Sequence, residues 1–527
     1  MSSHTRKKLR ERGSTVAMVM VMLPIFMIPL VGLAIDGTML YIVEAKLSAA
    51  VDGAALGAGR LLGTTANTTE IAGEFLRANF QTGYWNSRNL TTNISASNVL
   101  GTHTINVSAT VQVPLLFLRI LRADLSTVGA TATATRRDTR VVLVLDRSGS
   151  MDATDPVSHL NVFTTMQASA KNFVGMFTPG TDEVGIVMFS TSGIVAYPTN
   201  RPWSSDPHGA GGPDTGFATS STAGPAFTQL NAMAAGGGTS MAEALTMAFI
   251  ELQKAHFRDL AATGVDNTLN SIVLFTDGAP TGFTASPNSK ANLPNSNVLK
   301  ASGSGKGSTS PCTYNPEGAA GTGMRGSIII PGSNPSNWQA PVGLNLLAAY
   351  DTTHTLTWWL QNPLTNGNAD YQHISDPSAA VNGCSALGRN STFTLADLAK
   401  IPPTDYYGNL TTGSGYTTSA IYYNGTTLNM SNPTSGYHES LAAWNTTDNA
   451  GKTIRSQTAM PAIAIHCIGY TGSGGTDVAL LKRLANTLDS SSYNATQETG
   501  IFIQVNSADQ LGAAFSQIAS ELLRLAR

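Results

Sequence analysis

Hydrophobic and polar positions follow three regimes along this chain. The first is Val16 to Ile35, VAMVMVMLPIFMIPLVGLAI, an apolar run without a charged residue, long enough to cross the hydrocarbon core of a bilayer as a helix. Arg6, Lys7, Lys8, Arg10 and Arg12 precede it against one acid, Glu11. The positive-inside rule therefore puts residues 1–15 in the cytoplasm and everything after Asp36 outside. A cleaved signal peptide starts the same way, but the length of the run and the lack of a small-x-small cleavage site favour an uncleaved anchor over 16–35. Pro24 and Pro29 predict kinks in this span. The next stretch, DGTMLYIVEAKLSAAVDGAALGAGRLL, keeps apolar and small residues at helical spacing, which predicts one long helix leaving the membrane.

The second regime runs to Arg137. A helical piece, IAGEFLRANF, is followed by HTINVSATVQVPLL and LSTVGATATATR, whose period-two alternation predicts half-buried antiparallel strands. Residues 36–137 thus read as a helix with a small α+β module, and they show no catalytic constellation.

From Thr139 the pattern becomes short, nearly continuous apolar runs: VVLVL, EVGIVMFS, SIVLFTDG and AIAIHCIGY. Such runs describe strands buried on both faces. They alternate with helical patterns, among them VSHLNVFTTMQASAKNFVGMF, MAEALTMAFIELQKA, DVALLKRLANTL and SADQLGAAFSQIASELLRLA, the last capped by Ser507. The alternation predicts an α/β fold with a doubly wound, mainly parallel sheet. Residues 279–436 interrupt it with Gly, Ser, Asn, Thr and aromatic residues and little helical periodicity. A structureless loop of that length does not suit a compact domain, so the segment reads as a subdomain inserted into a domain made of 139–278 and 437–527.

Composition changes this picture modestly. A chain of 527 residues predicts two to four domains. The net charge of -2 carries no nucleic-acid footprint. Three cysteines are too few for a disulfide framework; Cys312 and Cys384 could pair outside the cytoplasm or remain thiols, and Cys467 sits mid-strand as a buried apolar residue. The abundance of Ser, Thr, Asn and Gly suits an exported bacterial surface protein.

Candidate chemistry gathers where buried strands end. Asp146, Ser148 and Ser150 offer three hard oxygens at alternate positions, with Gly149 allowing a tight turn, and the carboxyl ends of strands in an open parallel sheet are where ligands bind. Gly236, Gly237, Gly238, Thr239 and Ser240 precede a helix, and a second buried strand ends in Thr276, Asp277 and Gly278. Hard oxygens suit magnesium, calcium or manganese rather than zinc.

Together the three loops resemble the metal-ion-dependent adhesion site of von Willebrand factor type A domains. The resemblance implies that Asp146, Ser148, Ser150, Thr239 and Asp277 hold a divalent cation, Mg2+ foremost with Mn2+ or Ca2+ as alternatives. An open coordination position would then accept a carboxylate from a protein partner. In that fold the strand ending at Asp277 lies beside the one ending at Asp146. The insertion should therefore leave on the same rim and border or cap the site, with Trp358, Trp359, Tyr406 and Tyr407 either contacting the partner or forming its own small core. The N-terminus resembles TadE/TadG-like proteins of the tight-adherence (Flp) pilus assembly system, through Arg12-Gly13, Leu23-Pro24, Asp36 and LSAAVDGAALGAGR, and the closing helix LGAAFSQIASELLRL is similar too. This implies a single-pass protein of the bacterial inner membrane, its C-terminal domains outside the cytoplasm, binding a partner and contacting pilus assembly components. A surface adhesin for extracellular ligands is the alternative, and a metallohydrolase a weaker one. Against an enzyme, the three loops contain no His or Glu, His208 and His466 read as solvated or structural, and no Gly-x-Ser-x-Gly, His-Glu-x-x-His or phosphate-loop motif occurs.

Overall fold

The computed structural model describes residues 4–63, 66–121, 124–191, 193–197, 225–285, 298–299, 312–313, 326–329, 343–346, 392–394, 404–405, 407–413, 436–472 and 475–525. The chain forms two compact units, Met1–Arg137 and Asp138–Ala526.

The first unit contains α1 (His4–Gly59), α2 (Thr68–Asn79) and three strands, β1 (Arg88–Val99), β2 (Thr102–Pro114) and β3 (Leu125–Arg137). Helix α1 is continuous through Pro24 and Pro29, and its apolar part is long enough to cross a membrane. Past Asp36 it acquires a buried stripe, Met39, Val43, Leu47, Ala50, Ala54 and Ala58, at the three- and four-residue spacing of one helix face. This stripe packs with Leu76 and Phe80 and with the inward residues Ile105, Val107, Ala109, Val111 and Val113 of β2. The antiparallel sheet has the order β1-β2-β3. Strand β1, RNLTTNISASNV, escapes pattern reading because it is mostly polar and mostly exposed at the sheet edge, with only Leu90 and Ile94 packed on the core.

The second unit opens with β4 (Thr139–Asp146), α3 (Val162–Val174), β5 (Glu183–Phe189), β6 (Gly193–Tyr197), α4 (Pro225–Ala232), α5 (Met241–Thr263) and β7 (Leu269–Thr276). Short strands β8 (Gly282–Ala285), β9 (Val298–Leu299), β10 (Cys312–Thr313), β11 (Gly326–Ile329), β12 (Gly343–Leu346) and β13 (Thr392–Thr394) follow. It closes with α6 (Gly436–Ser456), β14 (Ile463–Tyr470), α7 (Val478–Leu484), β15 (Phe502–Val505) and α8 (Leu511–Leu525). The main sheet runs β15-β14-β7-β4-β5-β6, parallel except for β6. All eight residues of β4 are buried. Val141, Leu143 and Leu145 face Phe173 of α3, Leu230 of α4 and Phe515 of α8. Val142 and Val144 face Leu245 of α5, Trp444 of α6 and Leu481 of α7. Helices therefore cover both faces of the sheet.

Between β7 and α6, strands β13-β12-β11-β8 form an antiparallel sheet and β9 pairs with β10. Residues 404–405 and 407–413 lie on α5 and α6: Asn409 Nδ2 donates to Thr246 Oγ1 at 3.0 Å, and Asn445 Nδ2 donates to the Thr411 carbonyl at 2.8 Å. Tyr407 is half-buried against the α5–α6 core. Trp358, Trp359, Tyr406, Cys384 and His208 lie outside the described residues, as does the side chain of Cys312.

At the amino end of the sheet, Arg140 is 1% exposed. Its Nε donates to Glu183 at 2.7 Å, its Nη1 to Asp266 and Asn270, each at 3.2 Å, and its Nη2 to Asp259. Burial alone would lower the guanidinium pKa, but the carboxylates of Glu183, Asp266 and Asp259 outweigh it and raise it. Removing one partner of a buried ion network leaves the others uncompensated, at a cost of about 3–5 kcal/mol. Arg140→Ala should destabilise the protein by about that much in denaturant unfolding followed by circular dichroism. A loss below about 1 kcal/mol would show that the network carries little.

Candidate metal centre

Strand β4 ends in Asp146, which is fully buried, and the neighbouring β7 ends one residue before Asp277, 1% exposed. The Asp146 carboxylate accepts the Thr276 hydroxyl at 2.6 Å and the Ser148 N–H at 2.7 Å. Ser150 Oγ donates to Asp277 Oδ1 at 2.8 Å and lies 3.0 Å from Ser148 Oγ. Four of the five expected residues, Asp146, Ser148, Ser150 and Asp277, thus stand in one small group. The fifth, Thr239, is beside it: a Cβ built on Gly278 would meet the Thr239 hydroxyl at 4.0 Å. Ser148 and Thr239 are buried, whereas Gly149 and Ser150 are exposed, so the group opens to solvent on the Ser150 side.

Backbone hydrogen bonds lock the loops together. Gly149 N–H donates to the Gly237 carbonyl at 3.0 Å, Gly236 N–H to the Arg147 carbonyl at 2.7 Å, and Ser240 N–H to the Ser190 carbonyl at 2.8 Å. Gly237 has φ +87°, and a Cβ there would lie 2.7 Å from Thr191 Oγ1. That backbone conformation and that approach suit glycine alone among the residue types. Thr191 Oγ1 also accepts the Gly238 N–H at 3.0 Å. Thr239 and Thr281 clasp each other, the Thr239 N–H to Thr281 Oγ1 at 2.9 Å and the Thr281 N–H to the Thr239 carbonyl at 3.0 Å. Sequence reasoning named Thr276 in the third loop without giving it a role, and missed Thr191 and Thr281. Each is one polar residue at a strand end or loop, and only the pairing of strands and loops shows which hydroxyl reaches across.

Burial pushes both acids above the ordinary carboxyl range. For Asp146 it overrides the hydrogen bonds from Thr276 and Ser148, and for Asp277 the charge of Asp146 adds to it. His466 stands in β14, where burial draws its pKa down to about 4, and its Nδ1 accepts the Ile501 N–H at 3.1 Å. It is a neutral structural histidine at neutral pH.

Residues 13–61 match the family model for Flp pilus-assembly TadE/G-like proteins, residues 43–134 that for Tad-like Flp pilus assembly, and residues 141–279 that for the von Willebrand factor type A domain. The chain thus carries, in order, a region similar to TadE/G-like Flp pilus-assembly proteins and a region similar to the von Willebrand factor type A domain. Comparison with curated proteins gave no match. Among solved structures, the PilB minor pilin from Streptococcus sanguinis is similar at 12% identity and TM-score 0.35, covering 84% of this chain and 80% of that one. The vWF domain of the type V pili tip protein Mfa5 from Porphyromonas gingivalis is similar at 17% identity and TM-score 0.32, covering 75% and 98%. The pilus adhesin SpaC from Lactobacillus rhamnosus GG is similar at 11% identity and TM-score 0.30, covering 83% and 35%. Likeness at this level decides neither fold nor function.

The type A domain holds its first loop through a second acid, Asp155, which is fully buried. Tyr470 at the end of β14 donates its hydroxyl to Oδ1 at 2.9 Å; Ser507 Oγ at 2.7 Å and Ala508 N–H at 2.9 Å donate to Oδ2, and so do the Ser158 N–H and hydroxyl. Two expectations are corrected here. Ser507 does not cap the C-terminal helix with its side chain: no helix N–H is bonded to its hydroxyl, which donates to Asp155, and a 3-10 turn, Ala508–Gln510, precedes α8. Helix α3 does not start near Val157 but at Val162, capped by Asn161, whose side chain accepts the Thr164 N–H at 3.0 Å.

Burial would raise the Asp155 pKa, but the hydrogen bonds from Ser158, Ala508 and Ser507 outweigh it and hold the carboxyl far below its usual range. A carboxyl with a depressed folded-state pKa stabilises the fold above its unfolded value, about 4, and loses that contribution as pH falls. Asp155→Asn should therefore cost roughly 2–4 kcal/mol at pH 7, and the gap to the parent protein should narrow as pH drops below about 4. Thermal unfolding across pH 3 to 8 measures this, and a gap independent of pH would contradict it.

Proposed function

We propose that this protein is a membrane-anchored cell-envelope component of Flp/Tad-type pilus assembly, and that its type A domain binds a partner protein through a divalent cation held by Asp146, Ser148, Ser150, Thr239 and Asp277. The observation that carries the reading is the donor set. Two buried carboxylates on adjacent strands share a cage of hydroxyls that opens to solvent at Ser150. Every donor is a hard oxygen, which fits Mg2+, Mn2+ or Ca2+. Among the described residues no group of three or more His, Cys, Asp or Glu converges to offer a softer site.

When bound, a divalent ion supplies positive charge and an open position for a partner's carboxylate. The chain's own residues do the rest. Thr276 and the Ser148 N–H orient Asp146, Ser150 orients Asp277, and the zipped glycine loop keeps Thr239 in place. The reading is of a binding site and not of an enzyme, since hydrolysis needs a base beside the activated water. His466 is committed within β14, and Glu243 accepts the Gly193 N–H at 2.9 Å. Anchoring is supported by the exposed apolar surface of α1 from Met18 to Ile35.

Two repelling buried acids destabilise the cation-free protein, so a cation should stabilise it by about 2.7 kcal/mol at a hundredfold excess over Kd. Asp277→Asn removes the repulsion while keeping the shape. In chelator at pH 8 this variant should melt above the parent protein, and neither it nor Asp146→Ala should respond to Mg2+ or Mn2+. Differential scanning calorimetry of the detergent-solubilised protein tests this. Cation-dependent stabilisation that survives in both variants would remove the site.

A further inference from the structure

The turn after β2 has the sequence LLFLRIL from Leu115 to Leu121. Leu116 is 62% exposed and Arg119 is exposed as well. An apolar turn on an exported domain would ordinarily be tucked into a core or replaced by polar residues. This one is fixed instead to α1, at the end of its apolar stretch. The Asp36 carboxylate accepts three successive backbone N–H groups, from Leu116 at 2.9 Å, Phe117 at 3.0 Å and Leu118 at 2.8 Å. Burial works against its charge, and the three N–H groups outweigh it, keeping the carboxyl below its usual range. One turn earlier, a Cβ on Gly32 would lie 2.5 Å from Phe117 Cβ. Only the bare backbone of glycine admits the Phe117 ring there.

Gly32 lies inside the apolar run and Asp36 just beyond it, about 6 Å apart along the helix axis. The turn therefore stands level with Val31, Leu33 and Ile35, which are themselves exposed. Tyr41, 71% exposed, follows about 7.5 Å further on, and an amphipathic aromatic ring suits the headgroup level of a bilayer. A long cationic side chain such as Arg119 likewise reaches headgroups while its stem stays in apolar surroundings.

We propose that the turn Leu115–Arg119, clasped to α1 by Asp36 and by Phe117 against Gly32, is an interfacial docking element that inserts Leu116 into the outer-facing leaflet of the membrane. The inference rests on reading α1 as a membrane span. The module is then held to the lipid surface at two points, the helix and the turn, so its height and tilt above the membrane are fixed rather than left to a flexible stalk. The β1–β2 connection at Val99 points to the other end of the sheet, since β2 alone spans about 40 Å.

The full-length protein, with Cys312 and Cys384 replaced by serine and Cys467 left buried in β14, is reconstituted in phosphatidylethanolamine–phosphatidylglycerol vesicles. A polarity-sensitive fluorophore is attached in separate variants through Phe26→Cys, Leu116→Cys or Val99→Cys. The Leu116 label is expected to emit to the blue, to be quenched by lipids bearing a nitroxide near the headgroup, and to be shielded from aqueous iodide. The Val99 label should show the reverse. Adding Asp36→Ala to Leu116→Cys should abolish the lipid quenching and restore the iodide quenching. If the Phe26 label is quenched by lipid while the Leu116 label is quenched by iodide, the docking inference fails and the anchor stands. A Leu116 label shielded from both quenchers is covered by protein and overturns the inference too. If the Phe26 label is not in lipid, the anchor reading fails and takes the inference with it. Lipid quenching at Leu116 that persists with Asp36→Ala would overturn the clasp.

Discussion

A strand buried along its whole length cannot carry a charge without an answer from its surroundings, and β4 carries one at each end. Taking an ion out of water costs several kcal/mol even after relaxation. At Arg140 the answer is internal, because Glu183, Asp259 and Asp266 supply opposite charge within the fold. At Asp146 the nearest ionisable neighbour on the adjoining strand is another acid, Asp277, and the hydroxyls around the pair donate hydrogen bonds without supplying charge. Burial pulls the pKa of the next residue, Arg147, down to about 10. The amino end of the strand thus sets a cation among acids, whereas the carboxyl end brings two acids together at the rim that reaches solvent at Ser150. This asymmetry, more than any single residue, favours reading the carboxyl rim as a place for a ligand of positive charge.

The rim is also rigid before anything binds. Three loops from distant parts of the sequence are joined by backbone hydrogen bonds that leave few degrees of freedom to the site hydroxyls. Asp155 extends this rigidity to the carboxyl side of β14 and the start of the last helix, so the loop after β4 is tied to the end of the chain. Preorganisation of this kind reduces the ordering cost of binding. The long insertion starts inside the same framework, since Thr281 is bonded to Thr239 only one residue before β8 begins. Its first strand therefore has a fixed position relative to the site, while residues 407–413 are spent on covering α5 and α6.

Much of this was readable without coordinates, and what escaped has physical reasons. Buried parallel strands are continuous apolar runs, so β4, β5, β7 and β14 stood out, and the helices between them showed one apolar face. The loop motifs singled out Asp146, Ser148, Ser150, Thr239 and Asp277 because each borders a recognisable element, a strand end for four of them and a helix start for Thr239. Strand β1 did not stand out, because an exposed edge strand rich in Asn, Ser and Thr has too few apolar residues, chiefly Leu90 and Ile94, to set a hydrophobic period. Ser507 preceded a helix and looked like a cap, yet its hydroxyl donates to a buried carboxylate 352 residues away in sequence and no helix N–H is bonded to it, so the long-range partner sets its position. Such a choice between local and long-range partners cannot be decided from local sequence.

Helix α1 shows how one element can be written for two solvents. From Met18 to Ile35 its described side chains are exposed all round apart from Gly32, a surface tolerable only in an apolar medium. From Met39 to Ala58 the helix buries a single stripe in which alanines at positions 50, 54 and 58 let the sheet approach closely. Asp36 marks the change. A carboxylate at that point would be costly if it faced hydrocarbon and indifferent if it faced water. Three backbone N–H groups from the turn after β2 make it favourable where it stands. They also tie the sheet to the helix at the end of its apolar stretch. The acid that follows the apolar run is therefore structural in origin, and its position in sequence is set by where the sheet must meet the helix.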